Sequence, residues 1–157
     1  MTISSVLNRK DYDGDGSTVA FATSPVVFFD DTDLELYHVD NAGVATLKTI
    51  NTHYTVAGGG GSVGTVTTLF TAAADEAIII IRVVPIVQGA DFVNNDVSDA
   101  EVAEDALDKL TMVCQQLQEQ LDRSVKVSIT NAVDPDELVA SIISNAFAPR
   151  FTTRGMM

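Results

Sequence analysis

Glycine, serine, histidine and aspartate supply the spacings in this chain that could do chemistry. Gly60, Ser62 and Gly64 fit the nucleophile elbow, in which a serine on a sharp strand-to-helix turn is deprotonated by a histidine further along the chain. Residues 63–70 read instead as a strand, and His38 and His53 both precede the serine, so a hairpin loop accounts for the motif better. Gly59, Gly61 and Gly64 also match the dinucleotide pattern G-x-G-x-x-G, but that site needs a helix opening directly behind the glycines. Four consecutive glycines, 58–61, read as a mobile or strained connection between two strands, using backbone angles that other residues avoid. No motif gathers an acid, a base and a nucleophile, so neither an enzyme nor a cofactor is expected.

Metal chemistry has one candidate string. Asp11, Asp13, Asp15 and Gly16 resemble the start of a calcium loop, yet Ala22 stands where the bidentate glutamate belongs, and no helices flank the string. A solvated turn of good turn-forming residues is preferred, and no metal site is assigned. His38 and His53 lack the clustered partners a metal would need. Cys114 is the only cysteine, which excludes an intrachain disulfide and a multi-thiolate zinc site; on a helix seam it reads as a small buried hydrophobe.

The elements that would position any such group divide near residue 88. Before it, short runs rich in Val, Ile, Thr, Phe and Tyr occupy 18–21, 26–29, 34–40, 44–50, 54–57, 63–70 and 77–84, separated by turn formers. That spacing predicts a mainly β fold, an antiparallel sandwich or barrel-like domain over 1–90. Leu34 and Leu36 alternate with polar neighbours, as in a strand with one wet face. Ile78, Ile79, Ile80 and Ile81 do not alternate, which predicts a central strand covered on both sides and ended by Pro85.

Beyond residue 91 the period becomes helical. Ser98 and Glu101 form a capping box, so a helix is expected from about Asp99. Ala100, Ala103, Leu107, Leu110, Cys114, Leu117 and Leu121 then recur at steps of three and four, a heptad seam over three repeats within a linker and helix at 91–126. Ala106 and Val113 widen it, which suits three or more helices or a helix with one flank on its own β domain. At 1.5 Å per residue the rod is roughly 38 Å long, more than one small domain covers, so part of the seam is expected to meet another chain. Asp134, Pro135, Asp136 and Glu137 open a short second helix within 127–157, whose apolar face includes Leu138, Ile142, Ile143 and Phe147. Too short to be stable alone, that helix needs a surface to pack on.

Bulk composition narrows the partners. The net charge of −13 over 157 residues, with only nine Lys and Arg, argues against phosphate backbones and anionic membrane surfaces. No apolar run is long enough to span a bilayer, and residues 1–11 lack the apolar stretch of a secretory signal, so synthesis and assembly in a cytoplasm are expected.

The order of these features resembles the amino-terminal anchoring domain of tail fibres from short-tailed bacteriophages. The likeness covers residues 5–125 and rests on three strings: Gly14, Asp15, Gly16, Ser17 and Thr18 before an apolar strand; Thr52, His53, Tyr54, Thr55 and Val56; and Ile81, Arg82, Val83, Val84 and Pro85. In the last, Val83 stands where a second arginine is common. The resemblance implies a homotrimer whose β domains grip a tail tube, an adaptor ring or a nozzle protein and whose helices carry a fibre or spike. It implies a virion tail location and no catalytic residues. Ala103, Leu107, Leu110, Cys114, Leu117 and Leu121 are then the expected trimer interface, and Leu138, Ile142, Ile143 and Phe147 the expected docking element for a separate spike. Because typical fibres continue for hundreds of residues and this sequence stops at Met157, a short adaptor is favoured over the amino-terminal fragment of a longer receptor-binding fibre. A carbohydrate-binding β-sandwich is the competing class; the absence of Trp weighs against the aromatic platforms such modules use.

Overall fold

A computed structural model describes residues 3, 5–87 and 99–124. These fall in the compact unit Met1–Arg123, apart from Ser124, which opens a second unit, Ser124–Met157. The described chain is mainly antiparallel β with one helix. Its strands are β1 (Arg9–Asp13), β2 (Ala20–Ala22), β3 (Leu34–Val39), β4 (Ala45–Lys48), β5 (Tyr54–Gly58), β6 (Gly64–Thr68) and β7 (Ala77–Arg82), and its helix is α1 (Asp99–Asp122). One sheet has the order β1-β7-β3-β4 and the other β2-β6-β5. Both sheets feed one core, to which β2 gives Phe21, β3 Leu34 and Leu36, β5 Tyr54, β6 Val66 and β7 Ile78 and Ile80.

The isoleucine run lies at the centre of its sheet, as its composition predicts, with β1 on one side and β3 on the other. Its cover is lopsided. Ile78 and Ile80 are fully buried, whereas Ile79 and Ile81, on the opposite face by the two-residue period, are only half-buried. The strand ends at Arg82, three residues before Pro85.

Two local departures from the expected elements have clear causes. Residues 26–29 are not a strand: Phe28 makes an isolated bridge to Ser62, although Val26 and Phe28 both reach the core with no exposure. Their backbone groups are engaged by the glycine loop instead, with Gly60 N donating to Phe29 O at 2.8 Å and Gly61 N to Phe28 O at 2.9 Å. Conversely, β1 is a strand that its composition hides, because in Arg-Lys-Asp-Tyr-Asp only Tyr12 is apolar. Tyr12 stacks on Phe21 at a centroid distance of 5.1 Å and donates its hydroxyl proton to Ala22 O. An outer strand with a single inward aromatic can spend its other positions on charge.

The four glycines 58–61 all have positive φ, as the strained-connection reading expects. Gly59 shows why no other residue fits: at φ +87°, an added Cβ would stand 2.7 Å from Phe28 Cε2.

Candidate assembly interface on helix α1

The acidic string and the histidines take structural positions. Asp11 and Asp13 belong to β1, while Asp15 folds the following turn by accepting from the amides of Ser17 and Thr18 and from the Thr18 hydroxyl. Those bonds, the Thr18 hydroxyl first, hold the Asp15 carboxyl well below the usual carboxylate range. His38 Nε2 lies 3.0 Å from Glu76 Oε2, and His53 Nδ1 accepts from the Thr49 amide at 3.1 Å. Behind Ser62 the chain enters β6 at Gly64 with no helical turn between, so the elbow geometry is absent at this serine.

Helix α1 carries the most unusual surface. One stripe, Asp108, Met112 and Gln116 at successive steps of four, is buried. Leu107, Leu110, Leu117 and Leu121 are 65%, 59%, 45% and 55% exposed, and Cys114 among them is exposed too. Two residues are about 200° of helical rotation, so Met112 points away from both Leu110 and Cys114. Ala106 and Val113, on the flank, are half-buried, and so is Ala103 within the seam. A core-facing helix normally puts its apolar stripe inward; here the stripe facing inward holds one methionine among polar groups, and the leucines face out. The buried-thiol reading of Cys114 therefore does not hold within a single chain. The expected helix start at Asp99 agrees with the fold, but Ser98 lies outside the described residues, as do Leu138, Ile142, Ile143 and Phe147.

What the helix rests on is Arg82, the largest fully buried side chain among the described residues. Its Nη1 donates to Val27 O at 2.8 Å and its Nη2 to Gln115 Oε1 at 2.6 Å. Burial pulls its pKa down to about 10, with Asp33 acting in the opposite direction. Gln115 Nε2 donates to Ser5 O at 2.7 Å, and Gln116 Oε1 accepts from Val84 N at 2.8 Å. Sequence reasoning used Arg82 only as part of a motif. Its position two and four residues after Ile80 and Ile78 was the available signal that the guanidinium turns inward.

Each leucine taken fully out of water is worth about 1.5–3 kcal/mol, so the half-exposed row holds several kcal/mol that burial against a further surface would release. A groove of about 460 Å³ also opens beside α1, lined by Phe29, Val84, Pro85 and Ala106 together with Asp105 and Lys109. Among the described residues, no helix is long and apolar enough to cross a membrane, and no three His, Cys, Asp or Glu side chains are grouped to hold a metal.

No family model matches the chain. It is similar to the tail spike protein of Salmonella phage epsilon15, 36% identical over 129 residues, which is 80% of this chain and 12% of that protein. The chain thus spans about 12% of the length of the curated relative it matches, and the likeness supports a phage tail protein.

Proposed function

We propose that this chain is a tail fibre or tail spike anchor, an adaptor that attaches a fibre or spike to a phage tail, and a structural virion component that self-associates as a homotrimer. In this reading residues 1–90 form a β-sandwich that docks on a tail tube, adaptor or nozzle protein. Residues 91–126 bring three copies together, and residues 127–157 hold a separate spike or fibre through Leu138, Ile142, Ile143 and Phe147. Catalysis, cofactors, nucleic acid and membranes have no part in it, and assembly takes place in the host cytoplasm. The observation that carries the proposal is the row of Leu107, Leu110, Cys114, Leu117 and Leu121 displayed on the side of α1 opposite its docking stripe. An exposed leucine row at heptad spacing supports packing against equivalent rows. Similarity to a tail spike protein supports the tail location. Light scattering across a range of concentrations tests it: three chains per particle are expected, and a single-chain mass at every concentration overturns it.

A second reading has its own observation. The match covers 12% of a much longer spike, which favours this chain as the attachment segment of a receptor-binding fibre. Mass spectrometry of the tail proteins from purified virions separates the two. Peptides that continue past Met157 in the same polypeptide support the segment; a carboxyl-terminal peptide ending at Met157 supports the adaptor.

A further inference from the structure

Helix α1 lies on its domain by the face that burial of apolar surface does not favour. Two consecutive residues bond that face to the domain. Gln115 Oε1 accepts from Arg82 Nη2 at 2.6 Å, Gln115 Nε2 donates to Ser5 O at 2.7 Å, and Gln116 Oε1 accepts from Val84 N at 2.8 Å. Arg82 is fully buried and Val84 is 2% exposed, so water does not substitute for the glutamine oxygens. The strand end beneath is itself fastened, because Asn8 Nδ2 donates to Arg82 O at 3.0 Å and Arg82 N to Asn8 O at 2.9 Å.

Rolling the helix by a single residue, about 100°, carries both glutamines off these donors. Arg82 Nη2 and the Val84 N–H then lose their acceptors, while Nη1 keeps Val27 O, and a buried donor left unmade costs more than its hydrogen bond contributed. Turning by about half a revolution would bury the leucine row on the chain's own sheets, which is the apolar solution the helix would otherwise reach. Polar donors at the seat and leucines on the far side therefore act together: the first penalise the arrangement that the second would seek.

We propose that Gln115 and Gln116, seated on Arg82 and Val84, are a rotational lock that holds the row from Leu107 to Leu121 outward, ready for a second copy of this chain. The use of the lock rests on the proposed self-association, but its operation belongs to one chain and is tested there. Gln115 and Gln116 are positioning residues; Leu110, Cys114 and Leu117 make the contact.

The test replaces both residues, Gln115→Ala with Gln116→Ala, in the full chain and reads two quantities. One is the rate at which a maleimide alkylates Cys114, relative to the same protein in denaturant. The other is the concentration at which mass falls to a single chain. Dissociated wild type is expected to react within about threefold of its denatured rate, and the double variant at least about tenfold more slowly with its helix content retained, as the row turns inward. The dissociation midpoint of the variant is expected to rise by about tenfold or more. Alkylation and midpoint both equal to wild type overturn the lock. If wild type stays assembled at every dilution, the midpoint decides; if it never assembles, the function proposed above fails and alkylation alone judges the lock. Gln116→Ala alone removes only the acceptor of Val84 N and is expected to move both readouts in the same direction by a smaller amount. Equality of this variant with wild type in both readouts overturns the lock even where the double variant does not fold.

Discussion

Arg82 Nη2 meets Gln115 Oε1 at 2.6 Å, joining the last residue of the central strand to the middle of the helix. A charge taken wholly out of water needs acceptors for its donors, and here a backbone carbonyl and a side-chain amide serve Nη1 and Nη2 in place of a carboxylate, while Nε has no hydrogen-bond partner among the described residues. The bond ties the β fold to the orientation of the leucines.

Arg82→Met removes both donors and leaves Val27 O and Gln115 Oε1 without them. Losing partners for two acceptors at the seat, offset in part by relief of the buried charge, is expected to lower stability by about 2 kcal/mol. Urea unfolding followed by circular dichroism checks it. Arg82→Lys reaches at most one of the two acceptors and is expected to fall between the two.

Leu110→Asp together with Leu117→Asp leaves the β core intact, because neither leucine is buried within the chain. The unfolding midpoint of the separated chain is expected to move by less than about 0.5 kcal/mol. The particle mass is expected to fall to that of one chain, since a carboxylate in a packed seam has no partner. Light scattering at matched concentration reads the difference.

Glu76 fastens the turn before β7 by accepting from Ala73 N at 2.7 Å, and its Oε2 also faces His38 Nε2. Those contacts, the Ala73 amide first, lower its pKa from the ordinary 4.5. A carboxyl whose folded pKa is depressed stabilises the fold above its unfolded value and ceases to as pH falls through the folded one. The stability difference between wild type and Glu76→Gln is thus expected to hold at neutral pH and to shrink below about pH 4.5. Urea midpoints at pH 7, 5 and 3 measure it.

Gly64→Ala places a Cβ 2.2 Å from Ala57 O and 2.8 Å from Phe28 Cζ. Neither neighbour can retreat, one being backbone and the other a core ring, so a loss of roughly 1–3 kcal/mol is expected. Gly60→Ala has open space but a φ of +61°, and is expected to cost about 1 kcal/mol. Thermal unfolding of the two variants ranks them.

Patterned elements were legible in the chain. Runs rich in β-branched and aromatic residues located β3 to β6, four isoleucines located the central strand β7, and the capping-box pattern of Ser98 and Glu101 pointed to the start of α1. Elements whose identity depends on a distant neighbour were hidden. β1 is charged and takes its strand form from pairing with β7 in the register Arg9↔Ile81 to Asp13↔Ala77. Residues 26–29 are apolar enough for a strand, yet lose that form because the glycine loop claims their carbonyls. The heptad pattern marked the leucines as one stripe but could not say which side of the helix its own domain occupies. That side was decided by Arg82, Gln115 and Gln116, polar residues that apolar periodicity passes over.

The charged strand β1 has a bearing on how copies of the chain would meet under the proposed self-association. Exposed flanking strands invite recruitment of another chain's backbone and hence fibrillar growth. Arg9, Lys10, Asp11 and Asp13 line this flank, with Arg9 Nε bonded to Asp11 Oδ1 at 2.7 Å. An incoming strand would have to strip water from four ionised groups in a row. That gatekeeping disfavours edge-on polymerisation and leaves the helix as the cheaper route to association.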